Sequence, residues 1–403
     1  MPTKKAYWDD PFATALETRG AEASTWEGKP SLVLSETLFY PEGGGQLGDV
    51  GTLRVGDETV NVVDTQIDDA GAIHHVVERA IATSAGATVA GSIDVSRRRD
   101  AMAHHTAQHM LSRALLDEAR AATASARIGL GTCTIDVERE SIPDAELHRA
   151  EDRVNDAIRA DLAIRALFPT AEELARLDLR RAPKVSAGVR IIDIDGFDLT
   201  PCGGTHCTRT GQIGVVRVAH VERYKGKLRV GFHAATRAIS DARAKEAVLG
   251  ALAKKLTCGV LDVGAAVGKL QNDLKERTDA LATARGELFE LLAKNVLAEH
   301  PPDPSGATLV RVARVGAGTD VASLRTLAAR LAGARGDVFA VCTAEDGDGL
   351  LVVVQRGAST AVDCGAWLKS LAAKTGGRGG GRPERAEGRL PNDAATEALL
   401  RII

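Results

Sequence analysis

The chain has 403 residues, of which 44% are hydrophobic and 26% charged, and its formal net charge is −3 at pH 7. Apolar material on that scale serves two or three cores and excludes a disordered or fibrous chain. The slightly acidic balance excludes a uniformly cationic nucleic-acid binder, so any RNA or DNA must be held by local basic patches.

The opening, MPTKKAYWDDPF, has two lysines with no apolar stretch behind them, and no run of about 18 apolar residues occurs later; a cytosolic protein without membrane spans is expected. Six scattered cysteines, Cys133, Cys202, Cys207, Cys258, Cys342 and Cys364, make no disulfide framework, which leaves burial or metal binding. Up to residue 95, short β-type runs such as SLVLSETLFY and AIHHVVERA alternate with Gly/Asp turns, predicting a small β-barrel or sandwich domain. Within it, FYPEGGGQLGDVG carries Gly43, Gly44 and Gly45, which free the backbone for positive φ and close approach to a ligand. The plain alternative is a tight loop between strands.

From SRRRDAMAHHTAQHMLSRALLDEA the period becomes helical, and residues 96–235 read as a mixed α/β domain. Its further elements are a helix through DAELHRAEDRVNDAIRADL and strands at GTCTIDVE, VRIIDIDG, IGVVRVAHVER and KLRVGFHAA. Residues 236–300 read as helical throughout. Val263, Val267, Leu270, Leu274, Leu281 and Leu288 fall on alternating four-and-three steps, which predicts a coiled-coil arm or helical hairpin. HPPDPSG then marks a boundary, and residues 301–403 read as a small α/β domain: a strand (TLVRVARV), a helix, two strands, a helix, a glycine loop and a last helix (NDAATEALLRII). The fold class is therefore α+β, multidomain.

The chemistry-bearing residues lie in the second part. His105 and His109 stand at i and i+4 of a predicted helix, so their imidazoles share one face. His104 has Gln108 four residues on and is a neighbour rather than a ligand. About a hundred residues later, TPCGGTHC places Cys202 and His206 four apart, with Gly203 and Gly204 allowing a turn that folds both side chains onto one ion. Three imidazoles and one thiolate form a tetrahedral set suited to one Zn²⁺. Cys207 is expected to point away. A zinc protease is disfavoured, because the position after the first histidine, where that class carries its Glu, is Thr106. A general base must come from elsewhere: a zinc-bound hydroxide, Asp193, Asp195 or Asp198, or the substrate itself; Asp198 is taken as the catalytic candidate.

FYPEGGGQLGD, HTAQHML and CGGTH followed by TGQIG, in this order, closely resemble the editing part of alanyl-tRNA synthetases and the free-standing AlaX-type alanyl-tRNA editing proteins. GGRGGGRPERAEG, Gly376 to Gly388, resembles the glycine-rich signature of the DHHA1-like C-terminal domain of those synthetases and the DHH phosphoesterases. The resemblance implies a long-form trans-editing hydrolase without aminoacylation activity, since no class II catalytic domain precedes the β-domain. Such an enzyme cleaves the ester of serine, and as a further candidate glycine, from alanine tRNA, recognising the acceptor stem and 3′ end. It also implies catalytic roles for Thr123 and Ser125, which match the family's T-x-S-x-x-[IL]-G positions and would hydrogen-bond a seryl hydroxyl. Substrate-binding roles fall to Gly43, Gly44, Gly45, Gln46, Arg378 and Arg382.

Editing is needed because a pocket sized for alanine rejects glycine or serine by only roughly 1–3 kcal/mol. Phosphate contacts are expected from Arg97 to Arg99, from Arg223, Lys225, Lys227 and Arg229, and from Arg378, Arg382 and Arg385. Two other readings stand beside this one: editing of another aminoacyl-tRNA such as threonine tRNA, and a non-catalytic RNA-binding module with a structural zinc. The apolar seam admits a homodimer through the helical arm or the C-terminal domain, or packing within the monomer.

Overall fold

The computed structural model describes residues 2–83, 87–183, 185, 188–304, 307–312, 315, 316 and 319–402. The chain divides into two compact units, 1–251 and 252–403, and is α+β in both.

In the first unit, seven antiparallel strands are ordered β2 (Ala15–Arg19), β9 (Thr88–Ile93), β6 (Gly51–Val55), β7 (Glu58–Ile67), β8 (Ile73–Val77), β4 (Lys29–Leu34) and β3 (Ala21–Trp26). A short parallel pair, β1 (Lys4–Lys5) and β5 (Glu36–Thr37), lies outside this ladder. Period-two alternation puts Leu53 and Val55, Val60 and Val62, and Leu32 and Leu34 into one core with Phe39. The two end strands, β2 and β3, are consecutive in the chain, joined through Gly20 at φ 85°. Among the described residues no ladder joins them, so hydrogen bonding does not close the sheet into the expected barrel.

The helix α1 (Val95–Ala119) starts where Asp94 caps it, its carboxylate accepting from the Arg97 N–H at 3.0 Å. Arg98, 2% exposed, donates from Nη1 to the Pro11 carbonyl, from Nη2 to the Leu38 carbonyl and to the buried Asp49 carboxylate. The first turn of α1 is thus fastened to the β-domain. A four-stranded antiparallel sheet, β10 (Thr123–Arg127), β11 (Cys133–Val137), β16 (Lys227–Ala234) and β15 (Val216–Tyr224), shares a core with α1 and α2 (Asp144–Arg159) through Met110, Leu115, Ile135, Val154, Val230 and Phe232. A three-stranded sheet, β12 (Ile164–Leu167), β13 (Ile191–Ile194) and β14 (Asp198–Pro201), ends directly at Cys202. The single helical turn α3 (Ala171–Leu174) follows β12.

The helical stretch expected over 236–300 consists of two helices. α4 (Ala235–Leu256) ends at Thr257, whose φ of 52° is left-handed, and α5 (Val263–Glu299) begins after a 3₁₀ turn. Val263 is buried, but Leu270, Leu274, Leu281 and Leu288 are each more than half exposed. The seam exists without a coiled-coil partner among the described residues of this unit; near the end of α5, Phe289 and Ala293 enter a core with Leu324 and Leu327, and Leu292, Val296 and Leu297 pack against it.

That core belongs to the five-stranded sheet β17 (Thr308–Val312), β18 (Val338–Asp346), β19 (Gly349–Arg356), β21 (Arg385–Pro391) and β20 (Arg378–Gly381), parallel only between β17 and β18. One face is covered by α6 (Val321–Ala334) and α5, the other by α7 (Cys364–Thr375) and α8 (Ala394–Ile402). Part of the sequence boundary HPPDPSG, Ser305 and Gly306, and the end of the expected strand, Ala313 and Arg314, lie outside the described residues, as does the last residue of the final helix, Ile403. The predicted glycine loop is a correction: Arg378–Gly381 is an edge strand paired with β21. Its glycines are required for space. A Cβ on Gly381 would sit 2.3 Å from the Arg385 carbonyl oxygen, and one on Gly388 2.5 Å from that of Arg378.

Candidate metal centre

The helical spacing and the strand end bring together what the sequence pairs. One ligand atom from each of His105, His109, Cys202 and His206 lies within 4.8 Å of the others. Cys202 Sγ is 3.4 Å from His105 Nε2 and 3.3 Å from His206 Nε2. A tetrahedral zinc with bonds of about 2.0 Å to nitrogen and about 2.3 Å to sulfur separates its ligands by roughly 3.5 Å, so the donors fit that ion.

Each imidazole has an oxygen behind it. His105 Nδ1 meets Gln46 Oε1 at 2.7 Å, and His206 Nδ1 meets Thr106 Oγ1 at 3.3 Å. The Thr106 hydroxyl donates to the Met102 carbonyl and accepts from the Cys207 N–H, so its remaining role toward His206 is acceptor. Nδ1–H tautomers follow at both histidines, with the Nε2 lone pairs facing inward. Behind His109, Asp198 Oδ2 stands 3.7 Å from Nδ1, too long for a hydrogen bond and leaving that buried nitrogen without a partner. Burial pushes the imidazoles toward neutrality: His105 to about 3, His206 to about 4, and His109 well below the usual value, with His206 and His105 adding to the effect there. For Cys202, burial raises the thiol pKa, but His206, the Gly204 N–H and Arg190 outweigh it and the net shift is downward. Neutral imidazoles and a thiolate are the forms that bind a metal.

The CGG turn needs one of its glycines, Gly204, and for room rather than for backbone freedom. A Cβ on Gly204 would lie 2.2 Å from His105 Cε1, whereas one on Gly203 meets nothing nearer than Trp8 Cζ2 at 3.9 Å. The turn is clamped by two residues that the sequence reading passed over. Arg190 donates from Nη1 to the Cys202 and Gly204 carbonyls at 3.0 and 2.9 Å, and the Trp8 indole N–H donates to the Gly203 carbonyl at 2.9 Å.

The other expected residues are placed as follows. Gly44 and Gly45, at φ 59° and 87°, form a two-residue turn closed by reciprocal backbone bonds between Gly43 and Gln46. This turn lies against β10, where the Ile128 N–H donates to the Gly45 carbonyl at 2.6 Å. Gln46 is fully buried, bridging His105 and Thr205, and therefore orients a ligand instead of facing solvent. Asp198 is held by Arg180 Nε and Nη2 at 2.8 and 3.2 Å and by the Thr200 hydroxyl, which places its carboxylate behind His109 without a hydrogen bond to it. Asp193 pairs within β13, and Asp195 is exposed in the turn that follows.

A bulge between Thr123 and Ser125 turns the two hydroxyls to different partners. Thr123 donates to Ser112 on α1, which Gln108 also reaches; Ser125 donates to Asp136, itself paired with Arg229. His104 is a neighbour as expected, bonded to the Asp100 carbonyl and the Ala234 N–H. Cys207 is buried, its thiol pushed up to about 11.

The basic clusters divide. Arg97 binds the Gly48 carbonyl and Arg98 is buried, leaving Arg99 exposed at a cavity of about 840 Å³ that none of the four ligands lines. Lys227 pairs with Glu138 and Arg385 with Glu387, while Arg378 lies exposed on β20 and the Arg382 backbone closes the β20–β21 turn.

Three family models match the chain: tRNA synthetases class II (A) over residues 12–97, the threonyl and alanyl tRNA synthetase second additional domain over 189–230, and the DHHA1 domain over 308–403. An alanine–tRNA ligase of Halobacterium salinarum is 33% identical over 99% of this chain and 43% of its own length. The chain is a relative of the alanine–tRNA ligases. A ligase of Synechococcus elongatus is 30% identical over 96% of the chain and 46% of its own length. The chain thus spans under half the length of the curated relatives it matches. These matches bear out the resemblance drawn from the motifs, to the ligases and their AlaX-type relatives. Among solved structures, the C-Ala domain of Aquifex aeolicus alanyl-tRNA synthetase matches 24% of the chain and 86% of its own at 18% identity, with a TM-score of 0.22. Among the described residues no helix is long and apolar enough to cross a membrane.

Proposed function

We propose that the chain is an editing hydrolase that removes serine, and glycine as a further substrate, from alanine tRNA by cleaving the aminoacyl ester, acting in trans in the cytosol. The observation that carries this reading is the convergence of three imidazoles and one thiolate from α1 and the β14 turn, in a relative of the alanine–tRNA ligases. His105, His109, Cys202 and His206 would hold one zinc ion, which when bound supplies Lewis-acid polarisation of an ester carbonyl or a water oxygen.

The chain's own residues do the rest. Gln46 and Thr106 set the tautomer and direction of His105 and His206, and the Asp198 carboxylate faces His109 at 3.7 Å. Arg190 and Trp8 fix the turn that carries Cys202 and His206. Thr123, beside Gln108 and Ser112, is the hydroxyl that would recognise the seryl side chain; a site that pairs that hydroxyl leaves its own group unpaired when alanine is present, and so spares the correct product. Four protein ligands saturate a tetrahedral ion, which favours orientation of the ester as the metal's main part.

We read residues 1–95, 96–235, 236–300 and 301–403 as β-domain, editing domain, helical arm and DHHA1-like domain, with Arg99, Arg223, Arg378 and Arg382 offered to tRNA phosphates. Alanine tRNA is preferred over threonine tRNA because the curated relatives that match nearly the whole chain are alanine ligases and the DHHA1 match accompanies them.

The test is hydrolysis of alanine tRNA charged with serine, glycine or alanine, and of threonine tRNA charged with serine. Release of serine from alanine tRNA at least ten-fold faster than alanine supports the reading. Binding of the tRNA with release of no amino acid overturns it in favour of an RNA-binding module.

A further inference from the structure

At the rim of the metal centre lies an aromatic surface that the ligand geometry does not use. Trp8 is tied to the Gly203 carbonyl, one residue from Cys202. Phe168, at the end of β12, packs against Trp8 with ring centroids 5.9 Å apart and planes inclined at 50°. Phe168 is 57% exposed, so much of its ring is open to solvent. Trp8 is braced by neighbours: Tyr7 meets it edge to face with ring centroids 6.1 Å apart, and Lys5 Nζ lies over its ring at 4.5 Å.

Two cations lie over the Trp8 ring. Lys5 is one. Arg190 stands with its guanidinium carbon 5.6 Å from the Trp8 ring, and its Nε is buried with no partner. A further cation, Arg181, is exposed and donates from Nη2 to the carbonyl of Pro201, the residue before Cys202. The acidic groups close by, Asp9 and Asp10, are exposed, and Asp9 faces Lys4.

An exposed aromatic ring on an aromatic backing, with cations at the same rim of a candidate metal centre, is the chemistry that holds an unpaired nucleotide: the ring stacks a base and accessible cations meet its phosphates. We propose that Phe168, backed by Trp8, is the platform on which the unpaired 3′-terminal base of the tRNA stacks, with Lys5 and Arg181 facing its phosphates while the buried Arg190 holds the turn beneath. The aminoacyl group is joined to the ribose of that last nucleotide, so a base seated on Phe168 sets the ester one sugar away, at the turn carrying Cys202. The inference takes its ligand from the editing reading and deepens it. It makes Phe168 a positioning residue that acts through the substrate's base and takes no part in bond cleavage.

The test measures binding of uncharged RNA by the full chain, so it does not need hydrolysis. The probe is a fluorescein-labelled RNA hairpin with a single-stranded ACCA 3′ end, compared with the same hairpin carrying an abasic 3′-terminal nucleotide. Wild-type protein should bind the ACCA hairpin roughly ten-fold more tightly than the abasic one. Phe168→Ala should bind both equally, at the abasic level, and Phe168→Trp should restore the difference. With charged tRNA, Phe168→Ala should raise KM and leave kcat within about two-fold.

A base preference that survives in Phe168→Ala overturns the proposal, as does its absence from the wild type. The two readings fail separately. A Phe168-dependent base preference without serine release leaves the platform standing and removes the editing function, whereas serine release without that preference does the reverse.

Discussion

Replacing Gln46 with leucine isolates the part of the centre that no ligand count includes. The side chain is fully buried; its Oε1 accepts from His105 Nδ1 at 2.7 Å and from the Thr205 N–H at 3.2 Å, and its Nε2 donates to Thr205 Oγ1 at 2.9 Å. Leucine has a similar volume, so little cavity is left, but two buried N–H donors lose their acceptor at a cost of about 1–3 kcal/mol each. His105 also loses the bond that fixes its tautomer, and loss of such an outer partner weakens metal binding about 10- to 100-fold, or roughly 1.4–2.7 kcal/mol. The assay is competition for zinc against a chromophoric chelator at fixed pH, together with urea unfolding of metal-free protein. Gln46→Leu should show both losses, while Gln46→Glu, which retains an acceptor, should keep zinc affinity within a few-fold of wild type. If Gln46→Leu binds zinc within two-fold of wild type and unfolds at the same urea concentration, the orienting role is wrong.

Other consequences follow from the same geometry. Gly204→Ala should abolish stoichiometric zinc binding, because its Cβ would occupy the space of the His105 ring, whereas Gly203→Ala should bind one equivalent; metal analysis of the purified variants decides. Arg98→Met leaves the Asp49 carboxylate buried and unpaired, and should cost about 3–5 kcal/mol in urea unfolding. Adding Asp49→Asn should recover part of that loss, and no recovery would mean that the guanidinium's carbonyl contacts dominate. His75, fully buried between Thr37 and the Leu32 carbonyl, has its pKa lowered to about 4 by burial. Between that value and the unfolded 6.5 the unfolded chain binds a proton that the folded one refuses, so stability is complete above about pH 6.5 and falls as pH drops toward 4. That share is about 3 kcal/mol; His75→Leu should lose less stability than wild type between pH 7 and 4.5, and equal losses would contradict the burial argument.

The ligand set was legible because its spacing is local. His105 and His109 lie one helical turn apart, and Cys202 and His206 flank a glycine pair, so periodicity and composition carry both halves. Only the chemistry of the set joined them across a hundred residues. The orienting groups were less accessible, since Gln46, Arg180 and Arg190 reach the centre from separate strands and loops. Gln46 was singled out, but as a substrate contact, because GGGQ reads as a ligand loop until the turn is seen to bury its glutamine. The two glycines of CGGTH were expected to supply conformational freedom, whereas the structure needs only Gly204, and for space.

Edge pairing explains the remaining differences. The run Gly376–Gly381 looks like a loop by composition, but Arg378–Gly381 within it is held as a strand by the ladder with β21, and the bulge in β10 that separates Thr123 from Ser125 leaves no trace in residue types. The seam on α5 was read correctly as apolar, yet periodicity says nothing about whether a partner helix is present. Trp8 and Phe168 are 160 residues apart in the sequence and share no motif, so only the fold brings them into contact.

The most direct test of the central claim is a titration of zinc into metal-free protein, following release of serine from serine-charged alanine tRNA. The account predicts that release rises from a negligible rate and saturates at one equivalent, and that Cys202→Ala shows no such rise at that loading. Metal-free protein that releases serine as fast as the loaded form, or loaded protein that releases none, would contradict it.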